Sequence, residues 1–412
     1  MQSLLILGRQ PALGIAELES LYGSDKVQVV SEKVVIVDED PCLLAFDRLG
    51  GSVKFCKILT TVNTNRWHEV ADFVIKAAPR QSADMPEGKM LLGLSEIGFN
   101  VPLKQLEASG LSIKKAVRST GRSVRLVPNK TGELNAAQII HNKLTSENGW
   151  DLVMIKDGPK TIIAQTVKVQ DIESYTKRDH DRPMRDSRVG MLPPKLAQII
   201  INLAAGKLPE GKLKSICDTP LDQEHPRPSL GQSVLDPFCG TGVLLQEALL
   251  MGYDVCGSDV EERMIEYSSK NLDWLNNIYN LGLEKYKLEI GDATSLQWTN
   301  DADIVACETY LGRPFSSLPD ANTLKQNIAT CNVIISKFLK NIAPQIKSGT
   351  RLCVAVPAWQ TRPNQFSELP LIDSLSDMGY NSLRFEHVKD SDLIYYRKDQ
   401  IVARRLLIIS KQ

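Results

Sequence analysis

Three short stretches carry residue types that could do chemistry along one edge. The first, Val234-Leu235-Asp236-Pro237-Phe238-Cys239-Gly240-Thr241-Gly242, runs from an apolar strand into an acid and a glycine turn. Gly240 and Gly242 let the backbone turn tightly and approach a ligand, and the helix that should follow presents its N-terminal amides beside them. The spacing is not the dinucleotide GxGxxG, and no lysine follows to grip phosphates. An acid before the turn suits a cationic ligand better than a pyrophosphate. Asp259-Val260 ends the next strand-like run, where a carboxylate can accept ribose hydroxyls, and Asp292-Ala293 closes a third. Each Asp alone could be a turn cap. Three at successive strand ends fit a binding edge, because open α/β sheets take ligands there.

A fourth stretch, ADIVACETYLGRPF (302–315), delivers Glu308, Thr309 and Tyr310 to the end of another apolar run. An acid next to an aromatic at that edge faces the same crevice. The five histidines, His68, His141, His180, His225 and His387, are isolated and suggest neither a triad nor a metal site.

These stretches need elements to hold them. From position 233 onward the sequence alternates regularly. Strands are expected at QSVLDPF, YDVCGSD, YKLEIGD, ADIVACE, TRLCVAVPAW and NSLRFEHV, with helices over 242–252, 261–280, 321–346 and 364–379. DLIYYRKD and QIVARRLLIIS are spaced as a hairpin, so the α/β sheet should be mostly parallel with a terminal antiparallel pair. Residues 1–170 read as α+β, with strands at SLLILGR, KVQVVSEKVVIV, VKFCKILTTV, RSVRLVP and KTIIAQTVKV and a first helix at PALGIAELESLYG. Residues 171–232 form a connector. It holds the charged run SYTKRDHDRPMRDSR, an amphipathic helix from Pro193, and a proline-rich loop without periodicity.

The chain of 412 residues is 42% hydrophobic and 24% charged, an ordinary globular composition with room for two or three domains. Lys+Arg and Asp+Glu balance at 49 each, so any nucleic-acid contact must come from a local patch. One lies between Lys104 and Lys130, where Lys114, Lys115, Arg118, Arg122 and Arg125 face a single acid, Glu107. It could track phosphates, or it could be an ordinary solvated helix face. The eight cysteines, Cys42, Cys56, Cys217, Cys239, Cys256, Cys307, Cys331 and Cys353, show no CxxC pair and no zinc spacing. They read as buried thiols in a reducing compartment. No apolar run approaches the roughly 18 residues a membrane helix needs, and the N-terminus lacks a leader pattern, so a cytoplasmic location is expected, without membrane or metal.

DPFCGTG resembles the S-adenosylmethionine loop of class I methyltransferases of the RNA- and DNA-amino group. Arg182-Pro183 and SRVGMLPPKLAQIIINLA (187–204) are similar to the segment preceding that loop in THUMP-containing tRNA guanine-N2 methyltransferases, which modify guanosine at position ten. Pro194, Leu196, Ala197, Asn202, Leu203 and Ala204 carry that pattern. The resemblance implies a Rossmann-like methyltransferase domain over 233–412, preceded by a linker and site-closing helix over 171–232 and a THUMP-like RNA-binding region within 1–170. It also implies that Asp236 to Gly242 cradle S-adenosyl-L-methionine, that Asp259 with Val260 holds the ribose and Asp292 with Ala293 the adenine edge, and that Pro193 closes over the site. The partner implied is tRNA or another structured RNA, held by the basic patch and extended by Arg178, Arg182, Arg185 and Arg188 unless their neighbouring acids pair with them. Some relatives of that family also use a small activating subunit.

Amino-methyltransferases usually place Asp/Asn-Pro-Pro-Tyr/Phe where this chain has Glu308-Thr309-Tyr310-Leu311. A carboxylate accepting the exocyclic N–H raises the amine's nucleophilicity while an aromatic stacks on the flipped base. Here the acid is longer by about 1.5 Å of carbon chain, and both prolines are gone. Transfer to a guanine N2 amine is the leading reading. A DNA amino-methyltransferase and a catalytically silent RNA-binding protein are the alternatives.

Overall fold

Alternation of β-branched and small apolar residues favours strands, and apolar recurrence every three to four positions favours helices. A computed structural model describes residues 2–186, 191–212, 214, 228–281, 286–299, 302–315, 317–398 and 400–412. Arg188, Cys217 and His225 lie outside the described residues. The chain divides into two compact units. One comprises Met1–Gly8, Gln28–Pro41 and Ser52–Ile172; the other comprises Arg9–Val27, Cys42–Gly51 and Glu173–Gln412.

The N-terminal elements, in chain order, are β1 (Ser3–Leu7), α1 (Pro11–Tyr22), β2 (Val27–Ser31), β3 (Val34–Val37), β4 (Ser52–Val62), α2 (Trp67–Ala83), β5 (Met90–Ile97), α3 (Leu103–Arg118), β6 (Val124–Leu126), α4 (Ala136–His141), β7 (Gly149–Asp157) and β8 (Lys160–Val169). The eight strands form one mixed sheet in the order β2-β3-β1-β4-β8-β7-β5-β6. β5 and β7 were not anticipated from the sequence, because MLLGLSEI and GWDLVMIKD are short apolar runs without clear alternation. Period two still sorts their side chains. Leu152 and Met154 of β7 join the core with Val70 and Val74 of α2 and Ile113 and Val117 of α3, while Val153 and Ile155 pack on the opposite face with Leu4, Ile36 and Cys56.

The second unit contains α1 and, after a short α5 (Ile172–Thr176), α6 (Pro194–Ala205), β9 (Ser233–Asp236), α7 (Val243–Leu250), β10 (Asp254–Asp259), α8 (Glu262–Tyr279), β11 (Tyr286–Ile290), β12 (Ile304–Glu308), α9 (Ala321–Ile342), β13 (Arg351–Arg362), β14 (Gln365–Ser367), β15 (Tyr380–Ser382), β16 (Ile394–Tyr395) and β17 (Val402–Lys411). Its sheet runs β11-β10-β9-β12-β13-β17-β15. β11 through β13 are parallel, and β17 lies antiparallel between β13 and β15. β16 pairs antiparallel with β17, as the terminal hairpin spacing predicts.

Two expectations are corrected. The helix expected over 364–379 is absent: Gln365–Ser367 folds back on β13, and 3₁₀ turns follow at Pro370–Ser374 and Ser376–Met378. Pro370 disfavours a helix interior and starts a 3₁₀ turn instead, and Gly379 at φ 84° ends the last turn. Leu369, Leu371 and Leu375 face the core, which gave the segment its helix-like spacing. The strand expected at NSLRFEHV is confined to Tyr380–Ser382.

α1 is buried along almost its whole length and packs on α6. Polar contacts lock this region. Glu17 accepts N–H bonds from Gly50 and Gly51 (3.0 and 2.9 Å) and from Asn202 Nδ2 (2.7 Å), while Arg48 donates to Asn202 Oδ1 and to Tyr253 Oη (2.9 and 3.0 Å). Gly50 is required there, since a Cβ would fall 2.0 Å from the Lys195 carbonyl oxygen. With only neutral donors bonded to it, Glu17 is pushed by burial up to about 7.

Candidate active site

Strand order reverses direction between β9 and β12, the switch point at which an open α/β sheet leaves a crevice beyond its carboxyl edge. Asp236 ends β9 and Glu308 ends β12, so the two acids stand on either side of that point. Asp259 ends β10 next door.

The two loop glycines do different jobs. Gly242, at φ 80°, is the N-cap of α7, and a Cβ there would meet Ser268 Oγ at 2.9 Å, so it permits α7 to pack against α8. Gly240, at φ 52°, faces open space: the only heavy atom near an added Cβ is the Phe238 carbonyl oxygen at 4.0 Å. A ligand can therefore lie against the backbone at Gly240. Hydrogen bonds hold the turn. Phe238 N–H donates to Asp236 Oδ1 (3.0 Å), Gly240 N–H to Asp259 Oδ2 (2.9 Å), and Ser268 Oγ to the Gly240 carbonyl (2.8 Å). Asn271 of α8 donates to the Thr241 carbonyl (2.8 Å) and exchanges bonds with the backbone of Met184 (2.9 and 3.0 Å), stitching the connector to the loop. Two residues earlier, Arg182 is buried, and its three guanidinium nitrogens have no hydrogen-bond partner among the described residues.

The electrostatics are asymmetric. Burial lifts Asp236 well above the usual carboxylate range; the Phe238 N–H opposes this, while the charges of Asp259 and Glu308 add to it. Asp259 is also raised by burial, against N–H bonds from Glu261 and Gly240. Neither acid has a basic side chain among its described ion pairs or hydrogen bonds. A cationic ligand would relieve this excess of negative charge. Glu308 is different. Its Oε1 accepts from Arg404 Nε of β17 at 2.6 Å, with both side chains largely buried.

The chain beyond Glu308 is braced without prolines. Thr309 bonds the Ala355 carbonyl twice, through N–H (3.0 Å) and Oγ1 (3.2 Å), and the Arg313 N–H donates to Asn327 Oδ1 (3.1 Å). Gly312, at φ 85°, makes the turn against Asn327. Tyr310 between these anchors is exposed.

The remaining expected site residues fall as follows. Pro237 and Cys239 are buried under the turn; burial, joined by the neighbouring Asp236 and Asp259 charges, raises the Cys239 thiol well above its ordinary range. Val260 is exposed beside Asp259, Ala293 is buried, and exposed Asp292 accepts the Thr294 N–H (2.8 Å). Pro193 is the N-cap of α6, which packs on α7, β12 and β13. In the connector, Arg178 forms a buried ion pair with Glu247 (2.7 Å), which also accepts from Gln198 (3.0 Å). In the first unit, Leu111, Lys114, Lys115, Arg118 and Ser119 line a shallow groove. Arg125 bonds Asn142 (3.0 Å), and Arg122 is turned inward onto the Pro86 carbonyl (2.6 Å) and Asn148 (2.8 Å).

Sequence reasoning missed Arg404, Ser268 and Asn271. A signal for Arg404 was present: ARRLL puts two arginines in succession inside an otherwise apolar strand, so each sheet face must bury one.

None of the described cysteines forms a disulfide, and no described helix is long and apolar enough to cross a membrane. Among the described residues, no group of three His, Cys, Asp or Glu could hold a metal.

Strand order, glycine loop and acid-lined switch point together define a class I methyltransferase fold in the second unit, and residues 229–396 match the family model described as a methyltransferase domain. TrmN from Thermus thermophilus superposes with a TM-score of 0.52 at 15% identity, covering all of both chains, and shares this fold. Over 219 residues the chain is 26% identical to the tRNA (guanine(10)-N2)-dimethyltransferase of Methanothermobacter thermautotrophicus, covering 52% of this chain and 53% of the relative. Over 151 residues it is 32% identical to the protein of the same name from Pyrococcus abyssi, covering 36% of this chain and 34% of that one. The chain is thus similar to tRNA guanine-N2 methyltransferases over part of its length, and it spans about half or less of the length of the curated relatives it matches.

Proposed function

We propose that this chain is an S-adenosyl-L-methionine-dependent methyltransferase acting on the exocyclic N2 amine of a guanosine in tRNA, in the cytoplasm. The observation that carries the reading is the crevice at the switch point: buried Asp236 and half-buried Asp259, without a basic partner among the described residues, beside a glycine whose outer face is open. The donor set fits this cofactor. Asp236 and Asp259 offset a sulfonium and accept hydroxyls, Gly240 admits the ligand to the backbone, and the orphaned Arg182 guanidinium suits the carboxylate of its amino-acid end. The cofactor supplies an activated methyl group. Pro237, Phe238, Cys239, Thr241 and Gly242 shape the turn; Val260, Asp292, Ala293 and Pro193 complete the ligand's surroundings.

At the other side, Glu308 accepts an N–H of the target amine and Tyr310 stacks on the flipped base. Thr309 fixes the carboxylate's approach through its two bonds to Ala355. Lys114, Lys115 and Arg118 hold RNA phosphates, with Arg125 at the margin and Arg122 bracing the patch from within. The sequence similarity to tRNA-modifying enzymes supports this assignment, and a small activating subunit is left to the same assay.

A second reading has one observation in its favour. Arg404 already occupies one oxygen of Glu308, as it would in a silent RNA-binding protein that keeps the fold. Calorimetry with the cofactor, then methyl transfer to total tRNA followed by nucleoside mass spectrometry, separates the two. Enzyme predicts cofactor binding and N2-methylguanosine. Cofactor binding with no labelled RNA or DNA, alone or with cell extract, selects the silent protein.

A further inference from the structure

Glu308 and Asp236 stand on either side of the switch point, and the Glu308 charge adds to the burial that raises Asp236. The groups around Glu308 are few. Cys307 on its own strand and Cys353 on neighbouring β13 are buried thiols held neutral by burial, and Ala355 stands opposite Glu308 in the β12–β13 register. Among the described residues, the cation bonded to it is Arg404, from β17 on the far side of β13. Its Nε meets Oε1 at 2.6 Å, a charge-assisted geometry. Oε2 has no hydrogen-bond partner among the described residues, and Glu308 is not fully enclosed.

We infer that Arg404 is a positioning residue for the proposed transfer, tying Glu308 Oε1 so that Oε2 is left to meet the substrate amine. The inference rests on the reading of Glu308 as the group that meets the amine. The ion pair then does two things a proline pair would otherwise do by stiffening the backbone. It removes the swing of a side chain one methylene longer than aspartate, and it fixes which oxygen faces the crevice. Arg suits this role and Lys does not fully replace it, since a guanidinium directs its N–H along a fixed line whereas an ammonium does not.

The test compares wild type, Arg404→Gln and Arg404→Lys in steady-state methyl transfer to tRNA, with cofactor affinity by calorimetry and thermal midpoint as controls. Arg404→Gln should lower kcat about a hundredfold, as a misplaced catalytic group does, while KM for tRNA and cofactor affinity stay within about twofold. Arg404→Lys should recover kcat to about a tenth of wild type. A fall in kcat accompanied by equal losses in tRNA and cofactor binding and a lowered midpoint would make Arg404 merely structural and overturn the inference. So would a kcat equal to or above wild type, which would identify the ion pair as a brake. A wild type inert on every RNA overturns the proposed function and the inference together, whereas an active wild type with unaltered kcat in Arg404→Gln overturns the inference alone.

Discussion

The two sides of the switch-point crevice handle the same problem, a carboxylate taken out of water, in opposite ways. On the β9 side Asp236 is fully buried and accepts one backbone N–H, with Asp259 beside it adding repulsion. On the β12 side Glu308 has a guanidinium at hydrogen-bond distance. A buried acid left without a cation is strained until a cation arrives, so it marks a place for a positively charged ligand. An acid already matched by a guanidinium of the protein is available for a neutral partner. On the proposed reading, the cofactor side is thus completed by its ligand and the substrate side by the fold.

The comparison can be broken most severely at Glu308. Glu308→Ala should reduce kcat roughly a thousandfold, the range for a removed proton-handling group, while cofactor affinity by calorimetry holds. A parallel loss of cofactor affinity would mean the two sides are not separate. A buried acid elsewhere sharpens the contrast. Glu17 has neutral donors only and stands at about 7, above its ordinary 4.5, so its favourable contribution to stability is complete below pH 4.5 and lost as pH rises through 7. Chemical denaturation at pH 5 and pH 8 should differ by up to about 3 kcal/mol from this group, and Glu17→Gln should flatten the difference. A curve unchanged by the substitution would show that neutral donors compensate a buried carboxylate as well as a guanidinium does. The smallest effect is expected at Asp236→Asn, which relieves the repulsion while removing the anion. Cofactor affinity should fall by a little under a hundredfold, about 2–2.5 kcal/mol, with the thermal midpoint of the ligand-free protein unchanged or raised. Undiminished affinity would place the cofactor's charge elsewhere.

How much of this was legible follows from the range of each interaction. The loop from Asp236 to Gly242 declares itself because its turn, cap and acid lie within a few residues. The parallel order follows from the strand–helix alternation. Glu308 and Tyr310 could be placed at a strand end, but nothing local says that the acid is matched, since Arg404 lies on the last strand and arrives only through the β13–β17 register. The same applies to the bracing at Thr309, which depends on a carbonyl in β13. The failed helix at 364–379 teaches the converse. Apolar spacing reports which side chains are buried, and Pro370 together with pairing to β13 decided the backbone.

The glutamate at position 17 has a consequence for dissecting this chain. The buried hydrogen bonds from Gly50, Gly51 and Asn202 converge on a helix, Pro11–Tyr22, that is far removed in sequence from the glycine loop at Asp236–Gly242, a separation at which contacts are slow to close. A fragment beginning at Glu173 would hold every residue named in the crevice and still leave α6 with its amide at Asn202 facing an empty seat. The second unit is therefore not transplantable as a contiguous piece: its foundation comes from Arg9–Val27 and Cys42–Gly51, far in sequence from the strands that line its crevice.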